Sequence, residues 1–179
     1  MLSKFTGILY KVAKSLTVPS RLLIYNSLIY PNLLYCLSLW GFTRKIHLDK
    51  INVAQKKIIR LIAGVPFRDH TAPIFDDLKL MKMESCSVYM CLLLVFKVMK
   101  FNNNYRWFHA HENVAYNTRS SSLRNLVVLF IRTTHSRQSI DYTGSLNWNL
   151  LPSSLKNAED YNRFRRLLKR HLLEKQRCL

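Results

Sequence analysis

Carboxylates, histidines and cysteines are the side chains through which this chain would do chemistry, and their spacing closes most routes. Asp76-Asp77, the only adjacent pair of aspartates, has the form of half a two-metal centre, which needs a third carboxylate to clamp two ions about 4 Å apart. Its setting, Ile74-Phe75-Asp76-Asp77-Leu78, has no aromatic residue two positions before the pair and no strand–turn–strand pattern around it, so a solvated helix face is expected. His109 and His111 are spaced to share a metal, but Glu112 is the only obvious further ligand, and Trp107 and Phe108 beside them favour packing or hydrogen bonding. Cys36, Cys86, Cys91 and Cys178 match neither a paired zinc-ligand spacing nor a disulfide framework. Cys86 and Cys91 fall in an apolar helical run, where they read as small buried hydrophobes. The expected setting is intracellular and reducing, nucleus or cytoplasm. Glycine-rich phosphate loops and serine nucleophile elbows are absent, and no catalytic residue, metal or cofactor is assigned to the chain.

What remains is cation chemistry. With 28 Lys and Arg against 10 Asp and Glu, the 179 residues carry a formal charge of +18. Self-repulsion on that scale penalises compaction unless a polyanion offsets it, and a phosphate backbone would do so. The cations fall on three amphipathic segments. Lys4, Lys11 and Lys14 lie opposite Phe5, Ile8, Leu9, Val12, Ala13 and Leu16. Lys50, Lys57 and Arg60 lie opposite Leu48, Ile51, Ala54, Ile58, Leu61 and Ile62. Arg163, Arg166 and Arg170 lie opposite Tyr161, Phe164, Leu168 and Leu172. A solvated helix face normally mixes signs; repetition of nearly acid-free faces points to phosphate contacts without base specificity. Tyr105 and Trp107 have the chemistry to stack on unpaired bases, although core packing is the commoner role of such rings.

These faces have to be positioned by a core. Hydrophobic residues make up 49% of the chain and aromatics 12%, with 4 glycines, a balance that favours helices. The expected fold is mainly α: a helical bundle over 1–103, an irregular connector with short strands over 104–147, and a basic helical segment over 148–179. Helices are expected over 4–16, from Pro19, over 48–63 with Gly64 as its stop, from Thr71-Pro73, over 85–100 at the centre of the core, and over 160–175. Pro31 is expected to reset the chain between two short helices, and 126–131 is the best strand candidate. Residues 22–43 carry no charge, but Asn26, Ser27, Pro31, Asn32 and Ser38 interrupt them, so packed core helices are expected rather than a membrane span. The opening residues lack the features of a secretory signal.

Several strings, taken in order, resemble the C-terminal part of reverse transcriptases from jockey-like non-LTR retrotransposons. Gly7-Ile8-Leu9-Tyr10, Ile29-Tyr30-Pro31-Asn32-Leu33-Leu34-Tyr35-Cys36 and Trp40-Gly41 are similar to the thumb, and Gln55-Lys56-Lys57-Ile58-Ile59-Arg60 to the helix after it. His70-Thr71-Ala72-Pro73-Ile74-Phe75 resembles the next short motif. Thr118-Arg119, Trp148-Asn149-Leu150-Leu151-Pro152 and Arg163-Phe164-Arg165-Arg166-Leu167-Leu168-Lys169 resemble the closing segment. The resemblance implies a thumb-like bundle that tracks RNA or an RNA–DNA duplex. It also implies that the catalytic carboxylates, their magnesium and an endonuclease region belong to upstream parts with no counterpart here. A thumb without its palm is further expected to expose apolar surface and self-associate. The alternative is an independently expressed, or decayed, helical protein-interaction module with no nucleic-acid role.

Overall fold

The computed structural model describes residues 2–101, Phe108 and 124–177. The expectations placed on Asn102-Asn103-Asn104, Tyr105, Trp107, His109, His111, Glu112, Thr118-Arg119 and Cys178 lie outside the described residues. Within them the chain is mainly helical, as expected, and no strand occurs among the described residues.

Helix α1, Leu2–Val12, carries Leu9 into the core. It stops short of the expected end at Leu16, because the following stretch is turned toward another helix. Arg21 Nε donates to the Leu16 carbonyl at 2.9 Å, and Arg21 Nη1 donates to the Leu61 and Ile62 carbonyls at 3.1 and 3.2 Å. A guanidinium placed on the last carbonyls of a helix also complements its dipole.

The expected break at Pro31 is not found. Helix α2, Val18–Ile24, runs through a π-helical turn, Tyr25–Ile29, directly into α3, Tyr30–Leu34. In the wide turn the Tyr30 N–H bonds the Tyr25 carbonyl, five residues back. This shift in register just before Pro31 relieves the lost N–H and the ring clash that would end a regular helix. The chain breaks instead at Tyr35, whose ψ is 120°, and Cys36, which is left-handed with φ 50°. A short helix α4, Leu37–Trp40, follows.

Helix α5, Lys45–Ala63, ends where Gly64 takes φ 73°, the left-handed stop its position predicts. Helix α6, Ala72–Asp77, begins with Pro73 in its first turn. Helix α7, Met83–Phe101, is buried on most sides, including Cys86, Cys91, Leu92, Val95 and Phe96. Other elements gather around it: α3, α4 and α5, then α8 (Ile140–Asn149) and α10 (Tyr161–Arg177), with α9 (Ser153–Lys156) packed against α10. Backbone approaches α7 closely at Gly41, where an added Cβ would lie 2.6 Å from the Ser87 Oγ. At Gly144 of α8, a Cβ would lie 2.7 Å from the Phe108 ring and 3.1 Å from Val95.

Helix α10 shares this core. Phe164 stacks on Phe96 with ring centroids 4.2 Å apart and meets Trp148 at 6.0 Å. Two glutamines clasp the link between α6 and α7 from opposite ends of the chain. Gln55 Nε2 donates to the Met81 carbonyl at 3.0 Å and to the Tyr25 hydroxyl at 3.2 Å. Gln176 accepts the Lys82 N–H at 2.8 Å and donates to the Leu80 carbonyl at 3.2 Å. Both glutamines are buried, and such backbone groups would otherwise be left unpaired.

The strand expected over 126–131 is not formed. Leu126 is buried, and an amide side chain pairs with its backbone: Asn149 Oδ1 accepts the Leu126 N–H at 2.7 Å and Asn149 Nδ2 donates to its carbonyl at 2.9 Å. An asparagine amide in that pose substitutes for one residue of a neighbouring strand. The residues that follow carry no regular structure, and Phe130 is exposed.

Candidate nucleic-acid interface

Helices α1 and α5 lie against one another and leave a groove of about 440 Å³ between them. Its α5 wall is Lys50, Val53, Ala54, Lys57 and Leu61, a single stripe at helical spacing; its α1 wall is Thr6, Gly7 and Tyr10. Lys50 and Lys57 are exposed. Lys4 and Lys11, also exposed, stand about one turn to either side of Gly7 along α1. Two of the predicted cations, Lys50 and Lys57, therefore line one groove with an apolar floor, while Lys4 and Lys11 lie on α1 beside its lining residues.

The other predicted cations are placed differently. Lys14 is exposed in the turn after α1, beyond the helix it was expected to share with Lys4 and Lys11. Arg60 is half-buried and already engaged, its Nε donating to the Asp69 carbonyl at 2.9 Å. Arg163, Arg166 and Arg170 line the exposed side of α10, opposite buried Phe164, Leu168 and Leu172, and do not line the α1–α5 groove. Asp160 starts that helix by accepting the N–H groups of Asn162 and Arg163 at 3.1 and 3.3 Å. Arg165, beside them in sequence and also exposed, donates to the Tyr89 hydroxyl at 3.2 Å.

Anions do not quench these faces among the described residues. Among the described residues one ion pair occurs, Arg177 with Asp76 at 3.8 Å, and it involves none of the predicted contact residues. It does engage one member of the Asp76-Asp77 pair, which closes a short helix and has no strand beside it among the described residues. No group of three or more His, Cys, Asp or Glu among the described residues is arranged to hold a metal ion. None of the described helices is long and apolar enough to cross a membrane.

Sequence reasoning missed two groups. Phe67 lies in the loop after α5 and is 69% exposed, yet the Lys57 ammonium sits 5.9 Å and the Arg60 guanidinium 5.6 Å from its ring centre. The signal was present as an aromatic between Pro66 and Arg68, but nothing in periodicity ties a loop residue to a helix face. Lys156 is the second. It is buried, donating to Asn125 Oδ1 at 2.8 Å and to the Asn149 carbonyl at 3.2 Å, and burial lowers its pKa from the ordinary lysine value. This lysine serves the fold and is not available to a phosphate.

No family model matches the chain, and no solved structure matches it. Among curated proteins, the RNA-directed DNA polymerase from mobile element jockey of Drosophila funebris is 35% identical over 68 residues, which is 38% of this chain and 7% of that protein. The jockey polymerase of Drosophila melanogaster is 38% identical over 68 residues, with the same shares. The probable RNA-directed DNA polymerase from transposon X-element of Drosophila melanogaster is 32% identical over 65 residues, 36% of this chain and 7% of that protein. The chain is thus partly similar to retroelement polymerases and spans about 7% of the length of the relatives it matches.

Proposed function

We propose that this chain is a nucleic-acid-binding, thumb-and-tail portion of a retroelement RNA-directed DNA polymerase. It holds RNA or an RNA–DNA duplex through phosphates and supplies no catalytic carboxylate. The observation that carries this reading is the set of exposed cations on α1, α5 and α10, free of ion pairing among the described residues, in a chain partly similar to jockey and X-element polymerases. Each lysine ammonium at the groove is a point charge on a flexible stem, suited to a phosphate and indifferent to base identity. Catalysis and its magnesium then belong to regions of the parent enzyme outside this sequence.

The test is a binding titration of the full chain against a hairpin RNA and an RNA–DNA hybrid over a range of salt concentrations. Affinity well above that for a neutral polymer, falling steeply with salt, is expected; salt-independent or absent binding rejects the reading. A second reading, a protein-interaction module, draws on Leu23, Tyr35 and Leu39, which are apolar and 64–77% exposed. Sedimentation without nucleic acid separates the two: a monomer favours the binding role and an obligate oligomer the interaction role.

A further inference from the structure

The geometry points to Phe67 and Tyr10 as a stacking platform for unpaired bases, so that the α1–α5 face selects a single-stranded RNA or DNA segment over duplex. This inference rests on the nucleic-acid reading above and deepens it.

Phe67 is held in place before any ligand arrives. It is the second residue of a four-residue turn closed by the Asp69 N–H on the Pro66 carbonyl at 3.2 Å. The turn is tied to α5 because Arg60 Nε donates to the Asp69 carbonyl, and the Gly64 and Val65 N–H groups both reach the Arg60 carbonyl, at 2.9 and 3.2 Å. An aromatic residue whose backbone is tied down in this way while its side chain stays 69% exposed has not been placed to fill the core.

Lys57 joins the ring to the groove. It lines the groove with Tyr10, itself 66% exposed, and its ammonium also approaches the Phe67 ring. Lys50, Tyr10 and Lys57 line the groove, and Lys57 and Arg60 approach the Phe67 ring, so cations and aromatics share one stretch beside α5. Residues 50 to 60 rise about 15 Å along the helix, the length of roughly four stacked nucleotides. Duplex hides base faces inside its stack and offers the rings nothing, whereas a single strand offers π-faces to the aromatics and phosphates to the lysines at once. A purely phosphate-reading surface has no use for the two exposed rings.

The experiment compares wild type, Phe67→Ala, Phe67→Trp and Tyr10→Ala as full chains, by fluorescence anisotropy against a single-stranded 12-mer in RNA and in DNA form and against a blunt duplex of equal length. Wild type should bind the single strands more tightly than the duplex. Phe67→Ala should lose about tenfold on single strands with an unchanged salt slope and little change on duplex, Tyr10→Ala should behave likewise, and Phe67→Trp should retain affinity. The RNA and DNA arms show which strand is preferred. Equal losses on duplex and single strand, or none on either, overturn the platform while leaving phosphate binding intact. Binding to no nucleic acid in wild type instead rejects the proposed function itself. A retained circular dichroism spectrum in each variant excludes loss of fold as the cause.

Discussion

Replacing Lys50 and Lys57 together by glutamine should change the salt dependence of binding by a calculable amount. The logarithm of affinity falls with the logarithm of salt by about 0.7 per phosphate neutralised on a single strand, and by about 0.9 on duplex DNA. Lys50 and Lys57 line the groove and Lys4 and Lys11 lie on α1 beside it, and all four are exposed and outside any ion pair among the described residues. Arg60 is left out because its guanidinium already serves the Asp69 carbonyl. A single strand seated on these four gives a slope of about −2.8, so affinity drops roughly 50-fold between 50 and 200 mM salt. If Arg163, Arg166 and Arg170 on α10 also contacted the strand, the slope would approach about −5 and the loss nearly a thousandfold. The double variant retains Lys4 and Lys11, and its slope should be about −1.4, with a loss of roughly sevenfold over the same range. Anisotropy titrations at several salt concentrations measure both slopes. A double variant with the wild-type slope would show that the groove lysines touch no phosphate and would refute the assignment whatever the absolute affinity.

Three further outcomes follow from the same geometry. Asn149→Ala orphans the N–H and carbonyl of buried Leu126, at about 1–3 kcal/mol per group. Its urea midpoint should fall by the equivalent of about 2–4 kcal/mol at unchanged m, while Leu150→Ala, at a side chain 73% exposed, should stay within about 0.5 kcal/mol; equal effects would discount the clasp. Burial pushes the Cys86 and Cys91 thiols up to about 12 from 9.0, and it raises Tyr25 and Tyr30 as well. Because the folded state holds these protons more tightly, the stability they support is complete below about pH 9 and is lost as pH rises toward 12, at about 1.4 kcal/mol per thiol per pH unit. A denaturation midpoint that stays flat between pH 8 and 11 would contradict that burial. Added salt should raise the melting temperature, since +18 of formal charge with one ion pair among the described residues leaves more repulsion than attraction to screen. Binding and stability thus respond to salt with opposite signs, and a melting temperature that falls with salt would expose the binding loss as unfolding.

How much of this was legible in the sequence depended on whether a feature was local. Helix α5 and its stop at Gly64, the central α7 and the amphipathic α10 were readable because apolar period and capping chemistry are written along the chain. The π turn before Pro31 was not. Proline normally ends a helix, and only the burial of Tyr25, Ile29 and Leu33 against the rest of the core rewards keeping the rod continuous. The 126–131 run failed for a related reason: its apolar residues suit a strand, but the partner that satisfies Leu126 is one amide side chain some twenty residues away. Periodicity put Lys50, Lys57 and Arg60 on one face of α5, where the first two are exposed and Arg60 is half-buried, while the contact of Lys57 and Arg60 with Phe67 depends on how the loop after Gly64 folds back.

That distinction bears on what the family resemblance can carry. In Trp148-Asn149-Leu150-Leu151-Pro152, the indole N–H donates to the Arg124 carbonyl at 2.9 Å, Asn149 clasps Leu126, and the Asn149 carbonyl accepts from Lys156. Leu151 is buried, and the Pro152 carbonyl accepts the Leu155 and Lys156 N–H groups at 3.0 and 3.4 Å at the start of α9. Except at exposed Leu150, these contacts hold the 124–126 segment and α9 in place, and none reaches the α1–α5 groove. Resemblance at this string therefore speaks to how the tail folds and would persist in a protein that had lost every nucleic-acid contact. The proposed binding role rests on different residues, Lys50, Lys57, Tyr10 and Phe67, whose exposure the fold does not require and whose removal should leave the core unchanged.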